Sequence, residues 1–225
     1  MVFNDNISHD NAGRQVRNRL LDVAERLFCE KGFDATNIRD LTAEAGCNVA
    51  AVNYHFGGKD KLYLEVFRRH MLIMRDLRIS SIDNVMSQNG REIALEDLLR
   101  AFVTSFIKPL VKENGASCFS KLMAREMFDP HLPRSVMLEE MIIPVVNALQ
   151  QALIKLCPDL DQKKAVLCIH SLIGQLIHTI RAREVFDKVD NDKLPVAEFT
   201  GTVEHIVEFS AAGIRAATGK KREWI

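Results

Sequence analysis

What this chain lacks narrows it first. It has no net charge, since 30 Lys and Arg balance 30 Asp and Glu over 225 residues. No global basic field draws it to nucleic acid, so any such contact must rest on a few well-placed cations. Residues 1–75 repeat the balance, with nearly as many carboxylates as cations. The five cysteines, Cys29, Cys47, Cys118, Cys157 and Cys168, are odd in number and form no C-x-x-C pair. That argues against a disulfide framework or a structural zinc site. Free cysteines of this kind fit small buried apolar positions in a reducing cytoplasm. No apolar run of about 18 residues and no signal-peptide pattern occurs, so the expectation is a cytoplasmic protein with no membrane partner. There is no H-E-x-x-H, no G-x-S-x-G and no phosphate loop. Without a convergent nucleophile, base or metal set, neither an enzyme nor a cofactor or metal is expected.

What is present is helical periodicity almost throughout. Residues 1–12 are polar and read as a flexible arm. Val16, Leu20, Ala24, Leu27 and Phe28 then recur at helical spacing until Gly32 stops the helix. Thr36 reads as the N-cap of a second, short helix with Ile38, Leu41 and Ala45 inward, ended by Gly46. Asn48 caps a third helix of barely two turns. Gly57-Gly58 breaks the chain before a fourth helix from about Lys59. Helical patterns follow over 95–112, 117–128, 134–157, 161–188 and 196–218, separated by Gly115, Asp129-Pro130, Pro158 and Asp190-Asn191-Asp192. Pro109 and Pro144 lie inside such patterns and should kink or end them. The class is all-α. The organisation reads as an arm (1–12), an N-terminal three-helix helix-turn-helix domain (13–75), a C-terminal helical domain (76–218) and a tail (219–225).

Segment 36–62, TNIRDLTAEAGCNVAAVNYHFGGKDKL, carries the function. Two short helices joined by a tight turn at Gly46 are what a helix-turn-helix needs. The second presents Val49, Ala50, Asn53 and Tyr54 outward, while Ala51, Val52 and Phe56 anchor it. A helix so short is held by packing rather than by its own stability. Asn53 can bond adenine bidentately, or it bonds a phosphate or water. Arg14 and Arg17, with Arg19, either reach DNA backbone and minor groove or form a solvated face of helix one. His55 reads as a structural or phosphate contact. The Lys220-Lys221-Arg222 cluster reads as a solvated tail. The alternative of another class is a helical adaptor without specific DNA recognition, which would have no reason to keep Thr36, Asn48, Tyr54 and Lys59 at this spacing.

The stretch over about 13–75, with "AERLFCEKGFDAT" followed by "IRDLTAEAGCNVAAVNYHFGGKDKL", resembles the TetR family of bacterial regulators. The resemblance implies that residues 38–57 form the helix-turn-helix and 48–54 its recognition helix. It also implies that Thr36 and Lys59 contact phosphates at the starts of helices two and four. Many family members carry tyrosine where this chain has Asn53, a departure that Tyr54 beside it can compensate. Segment 121–146, KLMAREMFDPHLPRSVMLEEMIIPVV, looks like the ligand-binding domain of the CecR subgroup. That likeness implies that 76–218 is a four- to five-helix ligand-binding and dimerisation domain, with a small-molecule pocket and with its last two long helices making the dimer. The expected mechanism is a homodimer on a palindromic double-stranded DNA operator, released by a small molecule of unknown identity. Candidate pocket residues are Phe102, Phe106, Met123, Phe128, Met137, Met141, His170 and His178, with Arg125, Glu126 and Arg181 as polar hooks. Candidate dimer residues are Ile173, Gly174, Ile177, Ile180, Val203, Ile206, Val207 and Ile214, which alternatively complete the core of one chain.

Overall fold

Helix α1, Asp5–Lys31, starts well before Gly13. The expected arm is thus corrected for residues 5–12: no proline or glycine pair interrupts them, and extending an existing helix costs no new nucleus. The structure, a computed structural model, describes residues 5–88, 90, 92–109, 111–112, 115–116, 118–186 and 199–219. Expectations for residues 1–4, for the 190–192 turn, for Lys220-Lys221-Arg222 and for the side chains of Cys118 and Phe128 lie outside the described residues. Helices α2 (Ile38–Ala45), α3 (Ala50–Phe56) and α4 (Lys59–Met86) follow α1. The chain divides into two units, Met1–Met71 with Ser117–Val136, and Leu72–Ala116 with Met137–Ile225.

The first unit packs α1 to α3, the start of α4 and α6 (Cys118–Phe128) around Leu20, Ala24, Phe28, Leu41, Val52, Leu62, Val66 and Phe67, all buried. Segment 117–136, assigned from sequence to the C-terminal domain, therefore belongs here, and its polar residues explain why. Glu126 is 5% exposed. Its carboxylate accepts from the Tyr63 hydroxyl at 3.0 Å and from the backbone N–H groups of His131 at 2.7 Å and Leu132 at 2.5 Å. Burial, then the Glu126 charge, pushes the Tyr63 phenol well above its ordinary value. Arg125 donates to the carbonyls of Phe28 at 3.2 Å and Glu30 at 3.3 Å, closing the C-terminal end of α1. Both expected ligand hooks are thus corrected: they are spent on the fold. Replacing Glu126 by alanine leaves three donors unsatisfied, and urea unfolding should show a loss of about 3 kcal/mol or more.

The second unit holds the rest of α4, α5 (Leu95–Ile107), a minimal hairpin and three further helical stretches. The helix expected to reach residue 112 stops at Ile107, two residues before Pro109. Val111–Lys112 then pairs antiparallel with Gly115–Ala116, Val111 opposite Ala116. Helix α7 (Arg134–Met137), whose first three residues belong to the first unit, runs through a π turn, Leu138–Ile142, into α8 (Ile143–Leu156). Pro144 sits in the first turn of α8 and has no N–H to donate. Just before it the ladder widens, with the Ile143 N–H reaching back to the Leu138 carbonyl. Helices α9 (Gln162–Phe186) and α10 (Phe199–Thr218) complete the unit.

Its core joins Leu98, Leu99, Phe102 and Val103 of α5 with Leu149 and Leu153 of α8, and with Ala165, Ile169, Leu172 and Leu176 of α9. Val203, Ile206, Val207 and Ile214 of α10 belong to the same core, at 5% exposure or less. They are therefore corrected as dimer residues, because one chain already buries them. Ile173 and Ile180 pack partly on that core. His170 and His178 are exposed, which removes them from any enclosed pocket. Phe102 and Phe106 lie 6.0 Å apart between ring centroids, Met141 is buried, and Met137 and Arg181 are half-buried. Met123, half-buried, belongs to the first unit. Stretches Arg134–Leu156 and Gln162–Ala182 are long and apolar enough to cross a membrane by length and composition alone. Each has an inner face in this core, through Val145 and Leu149 or Ile169 and Leu172.

Candidate nucleic-acid interface

The turn between α2 and α3 is set by Gly46 at φ 63°, ψ 43°. In this left-handed region a β-carbon is disfavoured, and glycine closes the helix at little cost. The N–H groups of Gly46 and Cys47 return to the carbonyls of Ala43 and Thr42. Asn48 then starts the next helix, its Oδ1 accepting from the Ala50 N–H at 2.9 Å. Only Val52 and Phe56 of α3 are buried, which fixes the rotation of this short helix. The opposite face is open: Val49, Ala50, Asn53 and Tyr54 are all exposed, Tyr54 to 85%. The Tyr54 ring meets the half-buried His55 ring edge-on at 4.9 Å.

A shallow depression beside this face is lined by Asn37, Ile38, Arg39, Val49, Asn53 and Lys59, among others. Lys59, the first residue of α4, holds its Nζ 4.2 Å over the Phe33 ring. A cation at a helix start is an anion-seeking pair of features. Asn37 and Arg39, both exposed here, were not identified from sequence. The signal that finds them is the exact start of α2, which the adjacent Thr36 obscures.

Thr36 itself is corrected. It is fully buried, and its hydroxyl donates to the Gly32 carbonyl at 2.7 Å and to the Leu27 carbonyl at 3.3 Å. The N-cap of α2 is Asn37, whose side chain accepts from the Asp40 N–H at 2.8 Å. A buried hydroxyl bonded to two carbonyls has no reach to a phosphate. The Thr36→Val variant should lose about 1–2 kcal/mol of stability in urea unfolding and keep the DNA affinity of the folded chain. A tenfold loss of affinity at unchanged stability would restore the phosphate contact.

The basic candidates on α1 divide. Arg17 pairs with Glu65 at 2.8 Å and lies 5.1 Å over the Phe56 ring, so it braces α3 from behind. Arg19 donates to the Ala45 carbonyl at 3.3 Å, at the end of α2. Arg14 is exposed. Cys29, Cys47, Cys157 and Cys168 are half-buried and in no disulfide among the described residues, and burial is the first cause raising the thiols of Cys157 and Cys168.

Comparison with known proteins agrees with this arrangement in both halves. Residues 20–66 match the model of the tetR family of bacterial regulatory proteins. Residues 95–214 match that of the C-terminal domain of the HTH-type transcriptional dual regulator CecR. The chain is 26% identical over 209 residues to the CecR of Shigella flexneri, covering 84% of this chain and 89% of that protein. Among solved structures, a TetR-family regulator from Streptomyces coelicolor superposes with a TM-score of 0.55 at 20% identity, over 91% of this chain and 95% of the other. A TetR regulator from Legionella pneumophila gives 0.57 at 16% identity, over 87% and 95%.

Proposed function

Since the chain belongs to the TetR family of bacterial transcriptional regulators, with a C-terminal domain of the CecR type, we propose that it acts as a homodimer that holds a palindromic operator until a small molecule releases it. Members of this family are regulators rather than enzymes. The observation that carries the reading is the exposed face of α3, Val49, Ala50, Asn53 and Tyr54, on a helix whose other side is locked by Val52 and Phe56. Asn53 reads a base edge, with Tyr54 and Lys59 on flanking phosphates. A dimer sets two such helices in successive major grooves, about 34 Å apart.

The dimer surface is the outer face of α9 and α10. Leu167 is 66% exposed and Phe209 64%, and Gly174 and Ile177 lie open on the same face of α9 as Leu167. His170 and His178 share that face. Large exposed apolar side chains on adjacent helices mark an interaction surface, and an isologous contact uses each of them twice. Gly174 lets the facing helix approach closely. In the second unit, ligand binding that favours another helix spacing shifts the population away from DNA. A tenfold loss of operator affinity requires only about 1.4 kcal/mol of differential binding.

Selection of genomic fragments with the purified chain tests the reading. The expected product is an inverted repeat with half-sites one helical turn apart, next to genes whose expression changes when the regulator is deleted. Fragments without shared symmetry would refute the operator model.

A further inference from the structure

Arg78 has no counterpart in the DNA-reading machinery and, among the described residues, no hydrogen-bonding or ion-pairing partner. It lies in the α4 portion of the second unit and is 3% exposed, yet its Nε makes no hydrogen bond. Its guanidinium carbon stands 3.8 Å over the centroid of the Phe106 ring. Among the described residues no carboxylate pairs with it, and burial lowers its pKa to about 10. At neutral pH the group therefore remains a cation.

The neighbouring polar groups are already committed. Ser81 donates to the Arg78 carbonyl at 2.7 Å and meets the Ser105 hydroxyl at 3.1 Å, while Ser105 donates to the Phe102 carbonyl at 2.8 Å. Elsewhere in this unit two described arginines are matched by carboxylates. Arg100 is held by both oxygens of Glu204 at 2.8 Å, and Arg215 by both oxygens of Glu96. Buried charges in folded proteins are paired, because an isolated one carries the full cost of leaving water. An aromatic face offsets only part of that cost. If the position served packing alone, methionine or leucine would fill it at lower cost.

We propose that Arg78 is the anchor for an acidic effector: a small organic anion whose carboxylate takes the guanidinium fork and whose apolar body lies against the Phe106 side of the site. The inference rests on the ligand-release reading above and adds the chemical class of the ligand. A planar fork matches a carboxylate bidentately, which an uncharged isostere cannot reproduce. The charge left unpaired in the free chain becomes paired in the liganded one, so the anion supplies differential binding between two states of the unit.

The test uses the full chain without DNA, with calorimetry and thermal melting in octanoate or naphthoate, and in octanol or naphthylmethanol as their uncharged counterparts. At least one carboxylate should bind saturably, at least tenfold tighter than the matching alcohol. Arg78→Met and Arg78→Gln should erase that preference, and Arg78→Met should melt no lower than the natural chain because an uncompensated charge is gone. Three results would overturn the proposal: no saturable binding of either carboxylate, a preference that persists in both variants, or variants that melt several degrees lower while the natural chain shows no preference. Operator release is scored separately. Anion binding through Arg78 without release keeps this inference and removes the ligand-release reading. Release by an uncharged molecule alone does the reverse.

Discussion

Replacing Asn53 and Tyr54 together by alanine is expected to lower operator affinity roughly 30-fold or more while leaving the melting temperature almost unchanged. A base contact of this kind is worth about 1–3 kcal/mol, and a symmetric dimer loses it at both half-sites, so the total is about 2–6 kcal/mol. The fold has little stake in either side chain. Tyr54 is 85% exposed, with its ring edge-on to His55, and Asn53 is exposed. Surface substitutions of this sort usually stay within about 0.5 kcal/mol of the parent. Fluorescence anisotropy and thermal melting on the same preparation separate the two effects. A helical adaptor would show no affinity to lose.

Replacing Leu167 and Phe209 by glutamate should turn a dimer into a monomer and abolish operator binding. Burying such side chains is worth about 1.5–3 kcal/mol each, and an isologous interface contains each of them twice. The sum, about 6–12 kcal/mol before any charge repulsion, moves the dimerisation constant by at least four orders of magnitude. Sedimentation should then give one chain of 25.5 kDa. The control is Val207→Ala, within the core at 0% exposure. It should lower stability by about 1–3 kcal/mol and leave the folded chain dimeric. If the glutamate pair leaves the chain dimeric, the contact lies on another face.

The glycine turn at Gly46 and the inward Val52 and Phe56 were legible in the sequence because a seven-residue helix leaves few choices for its buried face. The start of α2 was not. Thr36 and Asn37 are both capping residues, and only tertiary structure reveals that the carbonyls of Gly32 and Leu27 have claimed the threonine hydroxyl. Arg125 and Glu126 looked like ligand hooks because charged residues amid apolar ones suggest a site. Three of their partners, Tyr63 and the carbonyls of Phe28 and Glu30, lie at least 63 positions away in sequence. For α9 and α10, periodicity marks apolar positions without saying which side faces the chain's own core. Val203, Ile206, Val207 and Ile214 face inward, and the exposed Phe209, which the pattern passes over, faces out. Arg78 was equally invisible, since an arginine on an amphipathic helix reads as solvated until its burial is known.

The central claim is that the open face of α3 reads DNA as part of a symmetric pair. The most direct test is an anisotropy titration of the purified chain against its selected operator at several salt concentrations, with the Asn53/Tyr54 alanine pair run alongside. The expected result is saturation at two chains per half-site pair, affinity that falls linearly in log–log form with salt, and at least a 30-fold weaker curve for the alanine pair. Non-saturating binding, or identical curves for the two proteins, would contradict it.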